Sequence, residues 1–251
     1  MTLARLAGNG PAGPANMVDN LAAPPLTRGY PALRAWLVDR IKRRALRHLH
    51  ASALGERLLL SMYLDAEEAS LDILRSQLHL DGDGPMTRQI TRHLEEEDTH
   101  TALYAAALDA RGPRLSSRRV PAGLSRRKLD RWDRVARKHA RSFAHGPLVL
   151  SYATVLCAEQ MAVRILQRHC EAIGAGHALY PLFSQVLADE RRHVRLCAHT
   201  LHRLVAPAEM PCLERVLAEV RKIETGFALS GAVALYAAGL ALRIVAGTGP
   251  R

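Results

Sequence analysis

Apolar residues recur three and four positions apart through most of the chain, the spacing of helices that bury one face. Between residues 31 and 205 the sequence is rich in Leu, Ala, Arg and Glu, which favour helices. It has no run of alternating β-branched residues long enough for a strand. The pattern therefore predicts an all-α fold. Glycine and proline clusters divide it into four long helices at about 52–80, 85–110, 147–173 and 177–205, an amphipathic helix at 31–49, a basic helix at 125–144, and two shorter helices at the end.

The two ends of the chain differ from the body. Residues 1–30 carry so many glycines and prolines that we expect a flexible tail without a helix, and they lack the apolar run of a secretory signal. Phe227 to Leu242 are uncharged, but this stretch is slightly shorter than the about 20 residues of a spanning helix. We expect residues 207–251 to form helices that pack on the body, 31–206, or on a second copy in a homodimer. Membrane contact through 227–246 is the less favoured alternative.

A repeated motif points to chemistry. Leu64-x-Ala66-Glu67 matches Leu156-x-Ala158-Glu159, and Glu97-x-x-His100 matches Glu190-x-x-His193. Glu159 follows Glu67 by 92 residues and Glu190 follows Glu97 by 93, so both motif pairs shift together. Such a repeat predicts two related helical hairpins.

The spacing predicts that these side chains meet. A Glu and a His three residues apart share a helix face, and each Glu lies about fifteen residues from the turn of its hairpin, so the paired helices bring both to one level. Four carboxylates and two imidazoles then converge, and buried carboxylates without counter-charges repel one another. Two divalent cations would offset that repulsion. Carboxylate and imidazole ligands favour iron or manganese over copper.

Glu67 lies in the seam of apolar residues that continues through Leu60, Leu64, Leu71 and Leu74. Glu68 is the alternative ligand from this helix, although the repeat places Gln160 at the corresponding position. We expect Glu95 and Glu96, like Glu68, to be solvated.

The set Glu67, Glu97-x-x-His100, Glu159 and Glu190-x-x-His193 resembles the six ligands of the ferritin-like di-iron carboxylate superfamily. The resemblance covers about residues 52–205 and implies a four-helix bundle. It implies that Glu97 and either Glu159 or Glu190 bridge two irons, with His100 and His193 each on one iron. Arylamine N-oxygenases of this superfamily carry a further His one turn before the last Glu, where this chain has Val186.

The complete ligand set resembles that of members that activate O2. It implies an oxygenase or oxidase that oxidises a small organic substrate, with electrons from a separate ferredoxin or reductase. The alternatives are a protein that oxidises iron or removes peroxide, and a tRNA-base hydroxylase. Tyr152, Tyr104 and Cys197 share faces with the ligands and are candidates for a substrate pocket; Tyr63, Val163 and Phe183 are weaker ones.

Composition limits the other possibilities. The four cysteines form no C-x-x-C pair, which disfavours a cysteine zinc site and favours a reducing cytoplasmic location. The net charge is +11, and residues 111–141 hold 12 Lys and Arg against two acids. This basic crossover predicts either an anionic partner or an ordinary solvated helix. Aromatic residues, at 4%, are few for a surface that stacks RNA bases.

Overall fold

The fold is all-helical over the residues that the computed structural model describes, 14–23, 29–82, 84, 86–115 and 122–247. Its helices are α1 (Pro14–Ala22), α2 (Tyr30–Leu49), α3 (Ala53–Asp81), α4 (Thr87–Asp109), α5 (Ala122–His139), α6 (Gly146–Ile173), α7 (Tyr180–Leu204) and α8 (Met210–Gly247), with a short 3-10 helix (Pro207–Glu209) before α8. The all-α prediction is confirmed.

Helix boundaries follow local chemistry. The Ser52 hydroxyl accepts a hydrogen bond from the Gly55 amide and caps the start of α3, and prolines occupy the first turns of α2, α6 and α7, where a missing N–H costs nothing. Gly82 and Gly174 end α3 and α6 with φ of 57° and 71°, a left-handed backbone that glycine adopts without a steric penalty. These are the two hairpin turns that the sequence predicts.

Helices α3 and α4 pack as one pair and α6 and α7 as another. The pairs meet through contacts of α3 with α6 and of α4 with α7. Apolar clusters lie on either side of this junction; one includes Leu60, Leu64 and Leu108, and the other includes Leu156 and Leu201. Buried Glu and His residues of the four helices therefore lie inside the protein, between the two apolar clusters.

The sequence predicts no helix within residues 1–30, but the structure has α1 at Pro14–Ala22, so this prediction is wrong there. This helix packs on α7 and buries Val18 and Leu21. The side-chain amide of Gln160 donates to the carbonyls of Leu21 and Ala22 at the end of the helix, at 2.9 and 3.2 Å. Tertiary contacts thus hold a helix that the proline-rich composition disfavours. Residues 1–13 and 24–28 of the expected tail lie outside the described part.

The C-terminal region is one long helix after the 3-10 turn, so the prediction of two shorter helices is wrong. Helix α8 packs on α2, α5 and α6, but Val233, Leu240 and Ile244 remain exposed. By length and composition alone, α6 and the stretch Pro207–Ile244 could each cross a membrane. The apolar part of α6 is 56% buried in this fold, against 11% for the stretch that includes α8.

Candidate metal centre

The six residues that the repeat singles out lie together in the interior. Helices α3, α4, α6 and α7 all contribute to the cluster. Each of the six residues is at most 9% exposed to solvent. The cluster consists of Glu67, Glu97, His100, Glu159, Glu190 and His193.

The ligand atoms fall into two groups that share one carboxylate. One group contains Glu67, Glu97, His100 and Glu190, and the other contains His93, Glu97, Glu159 and His193; within each, the donor atoms lie within 4.8 Å of one another. Ligand bonds of about 2.0–2.2 Å to a central ion place donor atoms about 3–4.4 Å apart. Both groups therefore have room for an ion, and Glu97 is placed between them.

Glu97 lies close to both predicted histidine ligands. Its Oε1 atom lies 3.0 Å from Nδ1 of His193 and 3.8 Å from Nδ1 of His100. Nδ1 of His193 is also 3.7 Å from Glu190, and Nδ1 of His100 is 3.9 Å from the same carboxyl group. Each imidazole thus presents one nitrogen to carboxylates of both helical hairpins.

His93 is a seventh donor that the sequence analysis missed. It precedes Glu97 by one turn, and its Nε2 lies 3.4 Å from Glu97 and 3.5 Å from Glu159. The repeat pairs His93 with Val186, so the additional imidazole lies on the first hairpin and not on the second. The same-face rule that selected His100 could have found it.

The outer nitrogens of both predicted histidine ligands bind carboxylates. Nε2 of His100 lies 3.1 Å from Asp189, and Nε2 of His193 lies 2.8 Å from Glu96. Arg192 lies 2.6 Å from Asp189 and 3.7 Å from Glu96. An Nε2–H donated to a carboxylate leaves the Nδ1 lone pair free for a metal, which is the usual arrangement around histidine ligands.

This arrangement follows the repeat. Glu96 and Asp189 each precede a glutamate of the cluster, and each binds the histidine of the other hairpin. The expectation that Glu96 is simply solvated is therefore wrong. Glu68, by contrast, is exposed and pairs with Arg114, while Glu67 points into the cluster.

Several buried atoms of the cluster lack a hydrogen-bond partner. They are both ring nitrogens of His93, Nδ1 of His100 and His193, Oε1 of Glu97 and Oε2 of Glu190. Buried polar groups in folded proteins are normally paired, because leaving one unpaired costs about 1–3 kcal/mol. Unpartnered nitrogens and oxygens that face one another are what a pair of cations would satisfy, so the residues present fit a metal centre.

The pKa values of the four carboxyl groups are shifted in opposite directions within each neighbouring pair. Burial, the neighbouring charges of Glu97 and Glu159, and a hydrogen bond with Glu97 raise the pKa of Glu67 to about 10. Burial opposes ionisation of Glu97 too, but the adjacent imidazoles of His193 and His93 outweigh it and hold its pKa below the ordinary value. Glu190 and Glu159 repeat this pattern, with the pKa of Glu190 raised and that of Glu159 lowered. Without metal, the protons held by Glu67 and Glu190 therefore offset part of the negative charge that cations would otherwise neutralise.

The candidate pocket residues lie on two sides of the cluster. Tyr104 is buried one turn after His100, and burial together with Glu67 raises its pKa. Cys197 is buried on the other side, where burial together with Glu159 raises the pKa of its thiol. Tyr152 is buried beside Cys197. A cleft of about 420 Å³ lies elsewhere, along the arginine-rich face of α2.

No protein-family model, curated protein or solved structure matches this chain. The geometry of the buried cluster is therefore the feature of this chain that indicates a function.

Proposed function

We propose that the chain is a ferritin-like dimetal carboxylate protein that holds two iron ions and uses O2 to oxidise a small organic substrate. The observation that carries the proposal is the pair of buried donor groups that share Glu97 and contain unpartnered nitrogens and oxygens. Helices α3, α4, α6 and α7 would form the four-helix bundle, and iron suits the mixed carboxylate and imidazole donors.

Iron held by these residues would supply Lewis acidity and electron exchange with O2. The surrounding residues would orient the ligands and balance their charge. Asp189 and Glu96 hold the imidazoles of His100 and His193 in the tautomer that can bind metal. Glu97 belongs to both groups and would span the ions, while Glu67 on one group and Glu159 on the other would complete the charge balance.

The cluster is buried, with one apolar group of side chains toward Tyr104 and the other toward Cys197. Exclusion of water strengthens the interactions of charges in the centre and protects reactive species from solvent. Tyr104 and Cys197 are the side chains that would border a substrate on the two sides. The electrons would come from a separate ferredoxin or reductase, and manganese is the alternative metal for the same donors.

Metal content tests the centre. Protein loaded anaerobically with ferrous iron should hold about two irons per chain, because two donor groups are present. Glu97→Ala should lose both irons, since both groups share Glu97, whereas His193→Ala should lose one. Glu68→Ala is the matched control and should retain both, because its side chain is exposed beside the site. Equal iron content in all four proteins would overturn the assignment.

Exposure of the loaded protein to O2 tests the reaction. An oxygenase should consume O2 in proportion to its bound iron, and the right organic substrate should change the rate. Continuous uptake of added iron with formation of a mineral would instead favour the iron-oxidising alternative. A tRNA-base hydroxylase would show the rate change with tRNA.

A further inference from the structure

Most of the strongly exposed hydrophobic side chains in the described part of the chain lie on α2 and α8, two helices that pack against each other. Of nine such side chains, seven belong to these helices. They are Tyr30, Leu33, Trp36 and Leu37 on α2, and Val233, Leu240 and Ile244 on α8. Single exposed hydrophobic residues are ordinary on a protein surface, whereas a concentration of them on one pair of helices marks a surface that binds something apolar.

The exposed residues of α8 form one stripe along the helix. Val233, Leu240 and Ile244 are seven and four residues apart, a spacing that keeps them on one face. Ala237 and Ala241 are exposed between them. No charged residue occurs from Phe227 to Leu242, so the larger part of this face offers water only apolar surface.

The opposite face of α8 holds the helix on the body of the protein. Leu235 and Leu242 pack on a cluster that contains Leu46 and Leu49 of α2. The two backbones approach closely, since a Cβ atom on Gly239 would lie 3.1 Å from a carbonyl oxygen of α2. Crossing a membrane would strip these contacts from α8, whereas lying on a membrane surface would keep them.

Two neighbouring clefts place arginines beside the exposed hydrophobic side chains. The first has a volume of about 420 Å³ and is lined by Trp36, Asp39, Arg40, Arg43, Arg44 and Arg47. The second has a volume of about 370 Å³ and is lined by Arg44, Arg47, His48 and Arg243. Because both clefts include Arg44 and Arg47, they form one continuous surface from Trp36 on α2 to Arg243 on α8. Ile244 is adjacent to Arg243 in the chain.

Most of these arginines lack a carboxylate partner within the described part of the chain. They are Arg40, Arg44, Arg47 and Arg243. The one carboxylate that lines the clefts, Asp39, is already bound by Arg43 and Arg168. Arg40 instead lies over the ring of Trp36, 5.6 Å from its centroid. The sequence of the segments outside the described part adds one acidic side chain, Asp83. The surface therefore has an excess of positive charge next to apolar side chains.

This combination selects the partner. In a two-fold dimer the same patch meets itself, so unpaired arginines would face unpaired arginines and repel. A nucleic acid offers phosphates but nothing for the apolar stripe of α8 to enter. An anionic membrane offers both, since lipid phosphates suit guanidinium groups and the boundary of the acyl chains suits leucine, isoleucine and tryptophan.

We propose that α2 and α8 together form a surface that docks on an anionic lipid membrane without crossing it. The exposed hydrophobic side chains enter the region between headgroups and acyl chains, and the four unpaired arginines bind lipid phosphates. The buried Glu and His cluster stays inside the protein and takes no part in docking. The proposal therefore does not depend on the function proposed for that cluster.

Cosedimentation of the full chain with lipid vesicles tests the docking. Phosphatidylcholine vesicles with about one third phosphatidylglycerol should bind the protein, and vesicles of phosphatidylcholine alone should bind it much more weakly. Binding to the anionic vesicles should weaken as ionic strength rises, because salt screens exposed charges. Alkaline carbonate should release the bound protein. Absence of binding to anionic vesicles, or protein that only detergent releases, would overturn the proposal.

The double variant Arg44→Gln and Arg47→Gln tests the charged part of the surface. Each arginine near an anionic membrane strengthens binding roughly fivefold, so the variant should bind anionic vesicles roughly 25-fold more weakly. Arg127→Gln with Arg134→Gln is the matched control, because it removes the same charge from exposed positions of α5. It should bind like the unaltered protein. Equal losses in both variants would show that net charge, and not this surface, causes the binding.

Trp36→Ala and Ile244→Ala test the apolar part. Each removes a side chain that the membrane would bury, so each should weaken binding roughly tenfold. Leu129→Ala is the matched control, since Leu129 is exposed to a similar extent on α5. Trp36 also reports its own position, because the other tryptophan, Trp132, is buried. Acyl chains labelled with bromine should quench its fluorescence; a Trp36 that stays unquenched in vesicle-bound protein would overturn the apolar contact.

Two further measurements name the other occupants of this surface. Sedimentation equilibrium without lipid would assign the surface to a second copy if it showed a dimer that Leu240→Glu dissociates. Titration with single-stranded RNA would assign it to nucleic acid if Arg44→Gln with Arg47→Gln abolished RNA binding. Either result, in a protein that does not bind anionic vesicles, would overturn the membrane proposal.

Discussion

Single residues of the buried cluster have strongly shifted pKa values. Glu67 and Glu190 have raised pKa values, whereas their partners Glu97 and Glu159 have lowered ones. Each pair therefore shares a proton, because two adjacent carboxylates in a buried place cannot both ionise. Cations that replace these protons would remove the repulsion and stabilise the fold.

Glu67→Gln should stabilise the metal-free protein and weaken its metal binding. The pKa of Glu67 in the folded chain is about 10, above the value of about 4.3 for an unfolded chain. The folded state therefore binds the extra proton between these pH values, and the free energy of unfolding falls as pH rises from about 4.3 to 10. The neutral amide of Gln removes the contribution of Glu67 to this slope and should add about 1–4 kcal/mol of stability at pH 8.

Denaturant unfolding of both metal-free proteins from pH 5 to pH 9 measures the effect. Glu68→Gln is the matched control and should keep the slope of the unaltered protein, because its carboxylate is exposed. A slope that Glu67→Gln leaves unchanged would show that Glu67 ionises normally and is not paired with Glu97.

At the scale of the elements, the turn between α2 and α3 is tight because a glycine lets two backbones approach. A Cβ atom on Gly55 would lie 2.2 Å from the carbonyl oxygen of Leu49. Since the obstacle is backbone, no side-chain rotation relieves the clash. This close approach places His50 beside Glu56, with Nδ1 of His50 3.5 Å from the Glu56 carboxyl group.

Gly55→Ala should therefore destabilise the protein by about 1–3 kcal/mol, the usual cost of overpacking. The matched control is Gly226→Ala on α8, where a new methyl group meets nothing within 4 Å. That substitution should stabilise by about 0.5–1 kcal/mol, because alanine loses less backbone entropy in a helix than glycine. Thermal unfolding of both variants measures the difference, and equal effects would contradict the close approach.

At the scale of the whole molecule, positive charge lies on more than one face. In the basic crossover, Nζ of Lys128 lies 4.2 Å from the ring centroid of Trp132 and 4.0 Å from the Glu224 carboxyl group. Lys128 therefore takes part in contacts within the protein. Arg127 and Arg134 are exposed one above the other on α5. Arg44 and Arg47 form part of a second basic face on α2. Arg118 and Arg119 of the crossover lie outside the described part.

If the crossover receives the electron donor, the double variant Arg127→Glu and Arg134→Glu should slow reduction of the loaded protein by an acidic ferredoxin. The difference should shrink as ionic strength rises, because salt screens exposed charges. The matched control, Arg44→Glu with Arg47→Glu, makes the same charge change on α2. Slower reduction in the control alone would assign docking to α2, and no change in either would leave the crossover a solvated helix.

The two hairpins and the common level of the six clustered Glu and His residues were predictable from the sequence. Helix rise and turn position are local properties, so matched spacings in two halves are enough to bring Glu67 beside Glu97 and Glu159 beside Glu190. The all-α class followed from the same periodicity. Glycines that end α3 and α6 needed no tertiary information, because only their backbone conformation matters.

Only the tertiary structure decided what surrounds that site. The role of Glu96 depends on which helix lies opposite, because its partner His193 belongs to the other hairpin. Helix α1 exists where buried contacts and Gln160 outweigh a composition that disfavours it. The ring of His169 contacts Nε2 of His50 at 2.9 Å and the hydroxyl of Tyr63, although the three residues come from separate helices or turns and no spacing rule joins them. Periodicity fixes which residues share one helix face, whereas packing between helices fixes which faces meet.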